Sequence, residues 1–414
     1  MQKRISLVIT SGLLLFLSIS VMAQNSTNSP YTRYGYGELS NRSFGAGRSM
    51  GGVGIGLRSS KQINPMNPAS YSSMDSMTFL FDFGASAQLS WFNDGTNKQN
   101  DINGNIEYMA MQFPLHNQVA MSVGLMPYSH VGYDFWSVKS TDGQQYTERF
   151  TGTGGLNHLY TGLSIDIWKE RLSIGTNINY LFGTNTHEAI TSYVSSNSTT
   201  PVVNTKMLKI RDVNFDLGLQ YTHPLSKTDN AIFGLTYAPK KRLNNTSYET
   251  VNTGTEIIAD TINGLSYDKP AEYGFGVSYV RANKFIAAAD FSYQEWNKVS
   301  FAGRNNEFNN RTKVSAGFEY IPNLYSRPLL NRMRYRLGLS YTNSYIQASG
   351  NGYKEYGATV GVGIPISDMR SFINLSLEYV NISPDYKTMI DENYLRMTFS
   401  FTFNEYWFFK RKVD

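Results

Sequence analysis

The sequence predicts an all-β fold: a transmembrane antiparallel β-barrel of about 14 strands with an N-terminal lumenal plug. Three observations lead there. The chain of 414 residues holds 29 Tyr, 24 Phe and 35 Gly, with charged residues at only 17%, a composition suited to strands and turns. From Thr78 onward, long segments alternate apolar and polar residues with period two, the mark of strands with two unlike faces. The connectors between these segments alternate long and short, as in barrels with loops on one side of a membrane and turns on the other.

The elements follow in chain order. Lys3 and Arg4 precede the apolar stretch "ISLVITSGLLLFLSISV", and Val21-Met22-Ala23 supplies small residues for a signal peptidase. Residues 1–23 therefore read as a cleaved secretory signal. Gln24 stands where a lipid-modified chain would need Cys. Beyond it, no apolar run approaches the roughly 20 residues of a spanning helix. Residues 24–77 are rich in Gly, Ser and Asn, yet Tyr31, Tyr34, Tyr36, Phe44, Met50, Val53, Ile55 and Leu57 give them material to pack. This segment is expected to fold into the lumen. It ends in "INPMNPAS", where Pro65 and Pro68 hold Asn64 and Asn67 out of helical space. Asn64-Pro65 reads as a simple turn.

Residues 78–414 form the expected barrel. In "TFLFDFGASAQLSW" one face carries Phe79, Phe81, Phe83, Ala85, Ala87, Leu89 and Trp91, and the other Asp82, Gly84, Ser86, Gln88 and Ser90. The same alternation runs through "NFDLGLQY", "YGFGVSYV", "FINLSLEYV" and the closing strand with Leu395, Met397, Phe399, Phe401 and Phe403. Several runs reach ten or more residues, the span of a tilted membrane strand, where sandwich strands hold about 5–6. "NDGTNKQNDINGN", Ser129 to Thr153 and "THEAITSYVSSNSTTPVVNTK" read as long loops, whereas "PLHNQ", "KER" and "RAN" read as short turns. An even strand count places both termini on the short-turn, periplasmic side. In the third strand Pro127 cannot donate to a ladder, so it forces a bulge or ends the strand, with Gly124 and Gly132 easing a bend. Inward-facing Asp82, Asp166, Asp216, Asp290, Glu319 and Glu378 are expected to pair with Arg and Lys. The aromatic end, Tyr406 to Phe409, reads as a girdle and an assembly signal, followed by the tail "KRKVD".

Several functions are disfavoured. There is no Cys, hence no disulfide, thiolate metal site or cysteine nucleophile. The net charge of +5 comes without an interior basic run, so no nucleic-acid partner is expected. His116, His130, His158, His187 and His223 stand near no nucleophile motif, and no G-x-S-x-G, H-E-x-x-H or P-loop occurs. The expectation is a non-enzyme without cofactor or metal.

The Gly-rich "FGAGRSMGGVGIG", a short spacer, Asn67-Pro68-Ala69 and the first long strand together resemble the FadL/TodX family of outer-membrane transport proteins. The resemblance implies a 14-stranded barrel in the bacterial outer membrane, with an N-terminal hatch marked by Asn67, Pro68 and Ala69. It also implies a third-strand kink near Gly124, Pro127 and Gly132 that opens the wall sideways. Passive uptake of hydrophobic small molecules, long-chain fatty acids or aromatic hydrocarbons, would follow. Lateral release suits such cargo, because returning a chain to water costs about 0.8 kcal/mol per CH₂. Lys206, Lys209 and Arg211 are candidates to hold a cargo carboxylate, against solvated loop charges and lipopolysaccharide contacts. The polar, Tyr-rich loops depart from an apolar funnel. They favour a second reading, a FadL-like barrel within a protein-secretion or surface-attachment complex with other outer-membrane proteins. A structural or general porin-like barrel is the third. Outer-membrane lipid and, during biogenesis, the barrel assembly machinery are the remaining expected partners.

Overall fold

Alternation along each strand becomes one closed antiparallel wall in the computed structural model. It describes residues 26–406 apart from 142–143, 169–170, 194–199, 283, 349, 367–369 and 387–388. The signal peptide 1–23, the girdle residues Trp407 to Phe409 and the basic tail lie outside the described residues. The wall strands are β1 (Thr78–Asn93), β2 (Lys98–His116), β3 (Val119–Thr141), β4 (Gln144–Trp168), β5 (Leu172–Tyr193), β6 (Val202–Pro224) and β7 (Asp229–Ala238). They continue as β8 (Glu272–Arg281), β9 (Phe285–Gln294), β10 (Arg311–Tyr320), β11 (Arg334–Asn343), β12 (Tyr353–Pro365), β13 (Phe372–Pro384) and β14 (Asp391–Tyr406). Each pairs with the next, and β14 returns to β1 in a ladder from Asp391↔Asn93 to Tyr406↔Thr78. Closure removes the sheet edges that an apolar solvent could not satisfy.

The two faces sort as the alternation predicts. Outward side chains such as Leu163, Ile165, Phe215, Leu217, Phe275, Phe291, Leu337 and Met397 are exposed, forming an apolar belt. Inward ones such as Ser86, Gln112, Ser164, Asn177, Asn214, Gln220, Ser315 and Thr398 are buried and polar. An apolar belt around a polar bore is the signature of a transmembrane barrel.

Strand lengths are unequal. β7 to β11 hold 10 residues each, about what a tilted strand needs to cross a bilayer. β3, β4, β5 and β6 hold 23, 25, 22 and 23, so they continue as ribbons well beyond the belt. This corrects the reading of long loops. β1 and β2 are joined by a turn at 94–97, β3 runs to Thr141 and β4 starts at Gln144. Both faces of such a ribbon meet water, so no period-two pattern marks it in the sequence. A further hairpin, Asn245–Asn252 with Ile257–Ile262, adds to the upper part of β6.

Residues 26–77 run through the bore. They contain a 3₁₀ turn at Pro30–Arg33, a short strand at Glu38–Leu39, one helical turn at Gly45–Arg48 and a second 3₁₀ segment at Pro68–Ser73. A row of wall glycines lets this segment approach. A Cβ at Gly175 would stand 2.5 Å from the Pro68 carbonyl, and one at Gly361 2.6 Å from the Ser49 side chain. Between them around the barrel, Gly218 meets Asn67, Gly276 meets Gly56 and Gly317 meets Met50 at under 3 Å. Three cross-strand pairs are Gly–Gly: Gly175↔Gly218, Gly234↔Gly276 and Gly317↔Gly338. Only a wall stripped of side chains can take a backbone pressed flat against it.

Candidate functional site in the barrel bore

The Asn-Pro pair is one of the joints between the segment and the wall. Asn67 is fully buried and extended, as a residue before Pro must be. Its Oδ1 accepts from Ala69 N at 3.1 Å, capping the Pro68–Ser73 turn. Its Nδ2 donates to Ile55 O at 2.9 Å and to Leu219 O of β6 at 3.1 Å. Ala69 O accepts from Ser164 Oγ of β4 at 3.0 Å and from Arg58 at 3.1 Å. Asn64-Pro65 is more than a turn. Asn64 Nδ2 donates to Gly54 O (2.6 Å) and Leu57 O (3.0 Å), and Pro65 O accepts from Asn177 Nδ2 of β5 at 3.1 Å.

Charges tie the segment to the wall at several heights. Arg58 pairs with Asp166 of β4 at 2.8 Å, Arg42 with Asp216 of β6 at 2.6 Å, and Arg48 with Glu107 of β2 at 2.9 Å. Glu38 meets Arg396 of β14 at 3.3 Å, which also holds Glu378 at 3.4 Å. Burial alone would lower the Arg42 pKa, but Asp216 and Glu272 outweigh it and hold the guanidinium above its ordinary value. Within the wall, Glu319 is held by Arg334 and Arg336. Two carboxylates depart from the expected pairing with cations. Asp82 accepts from Tyr108 and Thr402 hydroxyls at 3.2 Å each. Asp290 accepts from the backbone N–H groups of Gly54 (2.6 Å), Ile55 (2.8 Å) and Gly56 (3.3 Å). The Gly-rich run supplies that nest because consecutive amides can converge there on one anion.

Higher in the bore, aromatic side chains close the mouth. Trp296 stacks on Tyr345 with ring centroids 4.0 Å apart, and Tyr36, Phe301 and Phe308 pack around them. Tyr36 and Trp296 have no exposed surface. Between this cluster and the ion pairs lies a cavity of ≈ 120 Å³ whose lining includes Glu38, Arg42, Arg311, Lys313, Glu355 and Arg396. It is small and charged. Two roomier apolar concavities, of ≈ 960 and ≈ 640 Å³, lie on the outer wall among belt residues such as Leu163, Phe275, Leu337 and Leu377.

The β2–β3 ladder is incomplete. Their pairing runs only from His116↔Val119 to Met109↔Leu125. Above that, β2 pairs with β1 and β3 with β4. Pro127 does not end β3: it sits opposite Asn157 with a register shift before Ser129, and the strand continues to Thr141. Gly124 lies inward, where a Cβ would meet Tyr160 at 2.7 Å. Gly132 exchanges hydrogen bonds with Thr32 Oγ1 (3.0 and 3.1 Å). The N-terminal segment takes the vacated edge: Glu38↔His130 and Leu39↔Ser129 pair antiparallel, Ser40 N donates to Tyr128 O, and Asn105 Nδ2 reaches Ser26 O.

The candidate cargo contacts do not converge. Lys206 is even-numbered on β6, in register with the bore-side Leu208 and Ile210, and stands beside Glu249 at 3.4 Å. Lys209 and Arg211 are odd-numbered on the same strand and face the other way. Reading them as loop residues hid this alternation. The glycine row and the aromatic mouth went unread, although Gly218, Gly274 and Gly276 stand at inward positions of the alternation. A run of glycines in inward register was the available signal.

Together the closed wall and occupied bore define a FadL-type β-barrel. The CymD monoaromatic hydrocarbon channel aligns with a TM-score of 0.60 at 13% identity, covering 89% of this chain and 99% of its own. The toluene transporter TodX of Pseudomonas putida gives 0.56 at 15% identity, covering 90% and 100%. A FadL homologue of Pseudomonas aeruginosa gives 0.58 at 12%, covering 90% and 100%. At these identities the likeness is one of fold. A family model described as BamG matches residues 1–414, and the chain belongs to the BamG family. No curated protein sequence matches it.

Proposed function

We propose that this protein is a bacterial outer-membrane barrel, closed across its bore, that works as a component of a protein assembly in that membrane. The observation that carries this reading is the content of the bore. Residues 26–77 act as a plug locked by Asn67, Pro68 and Ala69, by five ion pairs to the wall among the described residues, and by the glycine row. The cavity beneath the aromatic mouth is small and lined by Glu38, Arg42, Arg311, Lys313, Glu355 and Arg396, a setting that disfavours an alkyl chain. What is left to act is the exterior. The tall ribbons carry exposed apolar side chains beyond the belt: Trp136 and Val138 on β3, and Ile257 and Ile258 on the added hairpin. Exposed apolar side chains on a water-facing ribbon suit a protein partner. The short-turn end, with both termini, faces the periplasm in this reading.

Uptake of hydrophobic molecules is the second reading, favoured by the fold shared with hydrocarbon channels and by the incomplete β2–β3 ladder. Two measurements separate them. Gentle purification from native membranes followed by native mass spectrometry should return stoichiometric protein partners, lost on Trp136→Ser with Ile257→Ser. A purified barrel free of partners, with an apolar ligand in the bore and ligand flux into vesicles, would overturn the assembly role in favour of uptake.

A further inference from the structure

We propose that the end of the barrel carrying the short turns bears a basic collar that binds the anionic headgroups of the phospholipid leaflet. The collar goes beyond the assembly role and stands whether or not that role holds.

The turns at this end touch one another in sequence around the rim. Thr222 N donates to Arg171 O, joining the β4–β5 and β6–β7 turns. Ala282 N donates to Thr228 O, joining the β6–β7 and β8–β9 turns, and Ile321 N donates to Lys284 O, joining β8–β9 to the connector 321–333. Along this continuous arc stand Arg171, Lys227, Arg281, Lys284, Arg327 and Arg332. None forms an ion pair among the described residues. Glu170 and Asp368 lie outside those residues. Within the arc, Asp229 is engaged by the Tyr279 hydroxyl at 3.1 Å and the Thr228 hydroxyl at 2.9 Å. Arg332 Nε is enclosed and has no acceptor among the described residues.

The opposite end is built differently. There Lys139, Arg149, Lys206, Lys298, Arg304 and Lys354 each hold a carboxylate: Glu148, Asp134, Glu249, Glu295, Glu307 and Asp385. Apart from Lys98, Lys209 and Arg211, the cations of that rim thus hold carboxylates, whereas those along the arc hold none among the described residues. The collar also carries what a headgroup layer needs beneath its charges. Trp168, Leu225, Tyr325 and Leu330 are exposed at the same level, Tyr325 at 87%. Arg171 lies over the Trp168 ring at 5.7 Å. Aromatic side chains at the headgroup level, with cations reaching past them to phosphate, match an anionic lipid surface. A protein acid would fit the charges but would leave Tyr325 and Leu330 without an apolar layer to enter.

The test uses the full mature chain in mild detergent, titrated with phosphatidylglycerol or phosphatidylcholine and read by native mass spectrometry. Wild type should retain phosphatidylglycerol about tenfold more than phosphatidylcholine. The triple variant Lys284→Gln, Arg327→Gln, Arg332→Gln should bring the two to parity. Lys206→Gln with Lys298→Gln, at the opposite rim, should keep the preference. Heat-modifiable migration on a gel checks that every variant holds a folded barrel. Equal retention of both lipids by wild type would overturn the proposal. So would an unchanged preference in the triple variant, including the case where that variant instead loses a co-purifying protein.

Discussion

Asn67 shows how much one side chain does in the bore. It caps its own turn with Oδ1 and satisfies carbonyls of the glycine-rich run and of β6 with Nδ2. Asn67→Ala should cost about 1–3 kcal/mol through unsatisfied buried carbonyls and amide. Limited proteolysis should then cut residues 26–77 while the barrel keeps its heat-modifiable migration. Gly338 makes the complementary point. A Cβ there would lie 2.0 Å from Gly51 N, so Gly338→Val should expel the segment locally, with the same proteolytic outcome. Arg42→Ala removes the cation that holds both Asp216 and Glu272, leaving Asp216 only Lys269 at 3.8 Å. Breaking such a buried pair costs about 3–5 kcal/mol, and thermal unfolding should register it. Arg149→Ala breaks an exposed ribbon pair with Asp134 and should change stability by about 1 kcal/mol or less.

Among elements, the stretch Ser26–Leu39 matters most for closure, because it pairs with the edge β3 gives up above Leu125. Deleting residues 26–39 from the mature chain should leave β1 to β14 folded, since none of the wall ladders depends on them. It should also add conductance in planar bilayers where the intact chain shows none. Equal conductance in both would remove this stretch from any sealing role. The wall strands themselves were legible from alternation, because one side faced an apolar solvent and the other a polar bore. The upper ribbons were not, since water on both sides erases the contrast between odd and even positions. β2 and β3 illustrate the loss: their lower halves alternate, and their upper halves read as loop.

For the molecule as a whole, stability rests on two shells that share few covalent links. The wall closes through backbone ladders, and the inner segment is held by side-chain bonds that reach most wall strands. Partial unfolding should therefore occur in two steps, the segment first and the barrel later. Amide hydrogen exchange would show it as faster exchange across residues 26–77 than across β12 to β14. Uniform exchange across both would speak against separable shells.

From its residues alone the chain specified a transmembrane barrel, its inward and outward faces and a packable N-terminal segment. Period-two hydrophobicity and turn chemistry are local properties that need no partner to be read. The NPA step, the glycine run and the inward carboxylates could be picked out, but not what they meet. That Asp290 faces three amides rather than a cation depends on residues separated by more than 200 positions, and so does the choice of Gly338 to admit Gly51. Only the closed barrel brings such distant groups within hydrogen-bond range, and so only the tertiary structure decided that residues 26–77 bond to the bore face of the wall and that the β2–β3 ladder stops at Met109↔Leu125.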